Sequence, residues 1–368
     1  MGRRILAGLG YLAAGILLAE ALVRLLGLGP RAYPAPMMLE NADKSYGVEC
    51  YPTDPDGRFP LWLRSRDEQA RVAREGWLSP RALWWLSRVL PHCVEFRYNP
   101  QRCRSGPFPA QPDGRARVLV IGDSFSEGAG VRVEHTYARR LEELLRGVRA
   151  GVAVDNCGRR GRDLPGLREA LRRLLPVARP QVVVYAFMLN DFQQDASYRR
   201  RQRFLNDLVL DRQHMGHPTW KLPRWLRFSR LATILAERWR SRQVTRATVR
   251  WYQGMTGPDN RAGWARTRAD LAAMKRRVEA SGAKFLVAIL PVLARLDSYP
   301  FTHVHRELAS ACRKLGIEHV DLLPVFRGRD ARTLWVHRVD MHPNGTAHRI
   351  IARALAPAVK RLLGATSQ

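Results

Sequence analysis

From residue 115 onward the chain alternates short apolar runs with amphipathic stretches, and this alternation restricts the fold more than any other feature. Arg117 to Ile121 (RVLVI) lacks the in–out pattern of a half-exposed strand, as expected for a parallel strand covered on both faces. The pattern predicts further strands at Val152–Asp155, Val182–Phe187, Phe285–Leu290 and Ile317–Leu322. Between and after them it predicts helices at Thr136–Leu145, Leu164–Leu175, 263–281, Phe301–Leu315 and Thr346–Leu363. Strands and helices in strict succession imply an α/β fold, a three-layer α/β/α sandwich around a central parallel sheet. Ligands and chemistry in such sheets gather at the carboxyl ends of the strands.

The N-terminus sets the compartment. MGRR precedes an apolar run from Ile5 to Val23, broken only by Glu20 and extendable through Leu28. About 20 apolar residues cross a bilayer core, so residues 1–29 are expected to form a transmembrane helix. Glu20 and Arg24, four apart on one helix face, can pair near the distal end. Arg3 and Arg4 hold the N-terminus in the cytoplasm and put the rest outside, in the periplasm or at the cell surface. A cleaved signal peptide is the competing reading, since Ala19-Glu20-Ala21 loosely resembles a small-x-small site.

The net charge of +29 comes from 62 basic and 33 acidic residues, with only six lysines among the basic ones. Part of such an arginine bias is a coding habit, but a surface this basic still attracts lipid headgroups or an anionic polymer. Nucleic acid is not the expected partner: no helix-turn-helix, zinc-finger or RNA-binding signature is present, and the chain reads as exported. Five cysteines suit an oxidising compartment. Cys93 and Cys103 bracket a short segment and form the favoured pair, with Cys50 competing, while Cys157 and Cys312 read as buried thiols. No CxxC or His-rich spacing suggests a metal site, and no cofactor is expected.

Residues 30–112, rich in Pro, Arg and Trp, lack sustained periodicity apart from helical pieces such as Pro80–Val89. They read as a juxtamembrane segment that wraps the main domain, which spans 113–368. Within that domain, about 195–262 is too long for a simple connection and carries Trp220, Trp225, Phe228, Trp239 and Trp251 among many arginines. A helical insertion on the sheet edge is the favoured reading; a lid or a surface for membrane or polymer is the other.

Four short stretches at element ends carry the chemistry. Gly122-Asp123-Ser124 follows the first buried strand, where a serine hydroxyl opens a helix and its own N–H points into the site. The G-x-S-x-G elbow is absent, because Ser126 stands where the second glycine would be. Asn156-Cys157-Gly158-Arg159-Arg160-Gly161 follows the second strand, and Gly161 can present an unobstructed N–H to an oxyanion. Leu189-Asn190-Asp191 closes the third strand, with an Asn amide able to donate to the same point. Asp340-Met341-His342 precedes the final helix and offers the base that a weakly acidic hydroxyl needs, supported by a carboxylate. Taken singly, each stretch reads as an ordinary turn or cap. Asn344-Gly345-Thr346 matches a glycosylation sequon but reads as helix-start chemistry.

In this order the stretches resemble the SGNH, or GDSL, hydrolase superfamily, with its Ser, Gly, Asn and His markers, over roughly residues 115–195 and 284–363. The anchored layout is similar to that of bacterial cell-envelope members. The resemblance implies a flavodoxin-like sandwich, Ser124 as nucleophile, His342 as base and Asp340 as the orienting acid. It also implies an oxyanion hole from the Ser124 N–H, the Gly161 N–H and Asn190. One departure stands out: the commonest family spacing, Asp-x-x-His, would put the acid at residue 339, which is Val339. Two residues apart in an extended segment point the same way, so Asp340 can serve instead.

Three functions fit these residues. The first is an extracytoplasmic esterase acting on an acylated carbohydrate or lipid. The second is an O-acyltransferase, such as an O-acetyltransferase, that modifies an exported polysaccharide beside a membrane acyl-donor protein. The third is a catalytically silent scaffold that binds anionic polymer.

Overall fold

A computed structural model describes residues 2–28, 37–41, 43–51, 93–110, 113–146, 151–200, 223–226, 228–337 and 340–364. The expected helical piece Pro80–Val89 and position Val339 lie outside these residues, as does Trp220. The chain divides into two units, one of 1–35, 52–59 and 200–250, the other of 36–51, 60–199 and 251–368.

The larger unit contains a five-stranded parallel sheet: β4 (Ala116–Gly122), β5 (Val152–Asn156), β6 (Val182–Met188), β7 (Lys284–Leu290) and β8 (Glu318–Asp321). It also contains β1 (Met37–Glu40), β2 (Tyr46–Cys50), β3 (Cys93–Arg97), β9 (Trp335–His337) and β10 (Asp340–Pro343). Its helices are α2 (Ser124–Glu127), α3 (Tyr137–Leu145), α4 (Leu164–Ala178), α6 (Arg261–Ala280), α7 (Thr302–Lys314), α8 (Leu323–Phe326) and α9 (Gly345–Leu362). The smaller unit contains α1 (Gly2–Leu25) and most of α5 (Arg230–Gln253). Strand and helix positions in the sheet follow the sequence pattern to within a few residues.

Every residue of β4, β5 and β6 is buried, as is β7 after Lys284, which explains why β6 and β7 read as apolar runs; in β4 and β5 the buried Arg117 and Asp155 pair with each other. The sheet order β5-β4-β6-β7-β8 is the 2-1-3-4-5 order of doubly wound folds, with its switch point between β4 and β6. Helix α3 packs with α9, and α4 with α6, so helices flank the sheet as the amphipathic stretches require. Ser124 and Leu189-Asn190-Asp191 therefore follow the two strands that border the switch point.

The disulfides correct the sequence reading. Cys50 pairs with Cys93 and Cys103 with Cys157, leaving Cys312 as a buried free thiol. Strands β1, β2 and β3 form an antiparallel sheet in which Cys50 lies directly opposite Cys93. The Arg104 N–H donates to the Asn156 carbonyl at 2.7 Å, which sets Cys103 beside Cys157 at the end of β5. Strand register decides these pairs, and nearness in sequence carries no information about register.

Candidate active site

The site begins at the end of β4. Asp123 caps α2 by accepting the Phe125 N–H at 2.9 Å, so Ser124 is the first helical residue, half-buried at the strand's carboxyl end. Close packing explains the preceding glycine: a Cβ on Gly122 would lie 2.2 Å from the Ser126 Oγ and 3.0 Å from the Ala186 carbonyl oxygen. Among the described residues no acceptor holds the Ser124 N–H, leaving a donor at a helix start.

His342 reaches this serine from β10, its Nε2 lying 2.8 Å from the Ser124 Oγ across 218 residues of sequence. Its Nδ1 sits 2.5 Å from Asp340 Oδ1, and that same oxygen accepts the His342 N–H at 3.0 Å. The short Asp-x-His spacing works because β10 is extended, and because the register against β9 shifts between Asp340 and Pro343. Burial pushes the imidazole's pKa down, but the hydrogen bond and charge of Asp340, with Asp123 and Glu49 farther off, outweigh it. His342 is thereby held above its ordinary value. Burial likewise pushes Asp340 up, and contacts from His342 and Tyr51 bring it below the usual carboxylate range.

Asn190 follows β6 and is exposed; its Nδ2 donates to Asp123 Oδ2 at 3.4 Å, beside the serine. Asp191 is buried instead, accepting the Tyr185 hydroxyl at 2.9 Å and the Met188 N–H at 3.2 Å. Desolvation and the nearby Asp123 raise Asp191 well above the ordinary range. Gly161 has φ of +71°, a left-handed turn that glycine adopts without strain, and a Cβ there would meet nothing within 4 Å. Its N–H is unengaged among the described residues, and no contact ties it directly to Ser124. Gly158 is the glycine that packs: a Cβ there would come within 2.5 Å of the Glu127 N and the Ser126 Cβ. The structure thus joins Ser124, His342 and Asp340 directly, and Asn190 through Asp123. Gly161 stands apart as an open donor.

Sequence reasoning missed the support around this site. Tyr51, just after β2, donates its hydroxyl to Asp340 Oδ2 at 2.8 Å, fixing the carboxylate oxygen that His342 leaves free. Glu127, at the end of the nucleophile's helix, is fully buried and accepts from the Tyr98 hydroxyl at 2.8 Å and the Arg160 Nε at 2.6 Å. Arg160 also pairs with Glu49 at 3.1 Å, and Glu49 accepts the Gly130 N–H at 2.7 Å. Arg104, its pKa pushed down to about 10 by burial, donates to the carbonyls of Glu95, Glu127, Gly128 and Val131. Removing one member of such a buried charged network costs about 3–5 kcal/mol, because its partner is left unpaired. The only sequence signal was the density of charge and tyrosine around Glu49–Tyr51 and Glu95–Arg104. Among the described residues no group of three or more His, Cys, Asp or Glu could hold a metal ion.

The family description "GDSL-like lipase/acylhydrolase" matches residues 120–350. No curated protein matches the chain. Among solved structures, similarity extends to TesA, at 16% identity over 67% of this chain and 99% of that one, with a TM-score of 0.41. The psychrotrophic esterase EstA from Pseudoalteromonas sp., inhibited by monoethylphosphonate, gives 15% identity, 67% and 98% coverage and a TM-score of 0.39. A catalytic mutant of Axe2, an acetylxylan esterase from Geobacillus stearothermophilus, gives 15% identity, 68% and 94% coverage and 0.39. The family match covers well over half of the chain and runs from within β4, before Ser124, into α9, after His342, taking in all four stretches. This protein therefore belongs to the GDSL-like lipase/acylhydrolase family of serine esterases.

Proposed function

We propose that this protein is an extracytoplasmic serine ester hydrolase that acts on an acylated carbohydrate or lipid through Ser124, His342 and Asp340. The observation that carries the reading is the continuous relay from the Ser124 Oγ through the imidazole to the Asp340 carboxylate. His342 takes the hydroxyl proton as Ser124 attacks the ester carbonyl, and returns it to the departing alcohol. Water, activated by the same imidazole, then releases the acid from the acyl-enzyme. The N–H groups of Ser124 and Gly161 and the Asn190 amide hold the oxyanion, each worth about 3 kcal/mol of barrier. In that step Asn190 exchanges its long contact with Asp123 for the developing charge.

The extracytoplasmic assignment is supported by α1, of which Arg4–Leu25 has a mean hydropathy of 1.9 and is long enough to cross a membrane. Arg3 and Arg4 before it, and two disulfides after it, point the same way. We assign residues 1–29 to the anchor, 30–112 to the juxtamembrane segment and 113–368 to the hydrolase domain, with its insertion at about 195–262. The test is labelling of detergent-solubilised full-length protein by a fluorophosphonate probe, expected in the native chain and lost in Ser124→Ala. Folded native protein that takes no label would overturn the reading in favour of a silent polymer-binding scaffold. Acylated sugar formed from an aryl acetate and an oligosaccharide, in place of free acetate, would move it to an O-acyltransferase. Retention of the protein in membranes after a high-salt wash tests the anchor separately.

A further inference from the structure

Within the smaller unit, the only acidic residue of α1 has an unusual set of partners. Glu20 accepts the backbone N–H groups of Arg230 and Leu231 at 3.0 and 2.9 Å and the Ser229 hydroxyl at 2.9 Å. It also pairs with Arg24 at 2.6 Å, and Arg24 in turn donates to the Phe228 carbonyl. The carboxylate therefore caps the start of α5, occupying donors that a helix leaves unpaired there. This explains why a span otherwise free of charge tolerates an acid: its hydrogen bonds are satisfied by a second segment of the same chain.

The contact also fixes a depth. Glu20 lies five residues before the end of α1, or about 8 Å along the axis at 1.5 Å per residue. With α1 as the anchor, Ser229–Leu231 are thus held near the end of the apolar stretch. The chain on either side of this point is built for such a boundary. Trp225 and Phe228 are 67% and 71% exposed, and Leu235 and Trp239 are 58% and 66% exposed. On α5, Leu235, Arg238, Trp239 and Arg242 follow one another at helical spacing, and all are exposed. Between residues 223 and 250 the sequence has eight arginines against the single acid Glu237. Exposed tryptophan interleaved with arginine and almost no acid suits contact with a membrane surface that carries anionic headgroups.

We propose that residues 223–246 form an interfacial element, tethered to the anchor through Glu20, that binds anionic phospholipid headgroups of the leaflet in which α1 ends. The aromatic and leucine side chains enter the acyl boundary while the arginines pair with lipid phosphates. The inference rests on α1 as a membrane anchor, which the high-salt wash tests on its own.

Full-length protein carrying Trp239→Cys, labelled with an environment-sensitive fluorophore, tests the surface; the four disulfide cysteines and buried Cys312 leave the new thiol as the accessible one. In nanodiscs of mixed phosphatidylcholine and phosphatidylglycerol the emission is expected to shift to the blue and to lose quenching by iodide. In nanodiscs of phosphatidylcholine alone the shift and the protection are expected to be weaker. A water-like label in the anionic nanodiscs, or an equal shift with and without phosphatidylglycerol, overturns the proposal. Leu235→Cys repeats the reading one turn away. Glu20→Ala is expected to speed amide hydrogen exchange at residues 229–233 in the anionic nanodiscs, and unchanged exchange would sink the tether.

Discussion

Among its described residues the larger unit contains two His–Asp pairs that look alike, and they lead to hydroxyls of very different exposure. In the first, Asp340 holds His342 Nδ1 and Nε2 faces the Ser124 Oγ. In the second, Asp321 holds His305 Nδ1 at 2.7 Å and Nε2 faces the Tyr299 hydroxyl at 3.1 Å. Even the backbone repeats, because each Asp also accepts the N–H two residues on, from His342 and from Leu323. The difference lies at the far end. Tyr299 is buried among aromatic rings, its hydroxyl accepts the Val292 N–H at 3.0 Å, and burial raises its pKa far above the ordinary value. Ser124 is half-exposed at a strand end, and its own N–H has no acceptor among the described residues. The side chain of His305 is 1% exposed and that of His342 is 29%. The two pairs therefore differ in access: one faces an accessible hydroxyl at a strand end, and the other is closed in the core.

The largest effect expected to sharpen this contrast is in Ser124→Ala and His342→Ala, each losing on the order of 10⁴-fold or more in kcat/KM for an aryl acetate. His305→Ala should keep kcat/KM within a few-fold while Tm falls. A comparable catalytic loss at His305 would break the comparison. Asp340→Asn comes next, with kcat reduced by roughly 10³ to 10⁴ because the imidazole loses its tautomer and orientation.

Tyr51→Phe removes one hydrogen bond to the outer oxygen of Asp340. Such a bond to a charged group contributes about 1.5–3 kcal/mol, so kcat should drop by about ten- to a hundredfold with KM nearly unchanged. Its counterpart Tyr299→Phe should leave kcat alone and cost about 1–2 kcal/mol in a denaturant titration. A catalytic effect of equal size in both would mean that the two tyrosines do the same job.

The smallest effect concerns pH. His342 must be neutral to accept the serine proton and is held above its ordinary value of 6.5, so the acid limb of kcat/KM should have its midpoint above 6.5. Linkage gives the sign for stability. The raised His342 stabilises the fold fully below its unfolded value, and this is lost as pH rises through the folded one. Asp340, lowered, contributes above the usual carboxylate range and loses that as pH falls through its folded value. His342→Gln should flatten the upper limb of the stability profile and also weaken the lower one, because the imidazole is the main group that holds Asp340 down.

Much of this was legible in the sequence, for local reasons. Buried parallel strands must be apolar throughout, so β4, β6 and β7 announced themselves, and caps such as Thr136 and Asn344 marked where helices start. Ser124 and Asn190 stand just after β4 and β6, where turn and cap residues show in the sequence. The support was not legible. Tyr51 and Asp340 are 289 residues apart, Glu49 and Arg160 are 111 apart, and no periodicity links them. The cysteines misled for the same reason, since nearness in sequence favoured Cys93 with Cys103 while strand register joins Cys50 to Cys93.

The sequence by itself determined which segments become strands and helices and where the turns between them fall, because periodicity and capping act over a few residues. Only the tertiary structure decided which His–Asp pair meets an accessible hydroxyl, which tyrosine steadies the acid and which cysteines join. Those outcomes depend on sheet order and register, through which each contact is set by the packing of the whole unit.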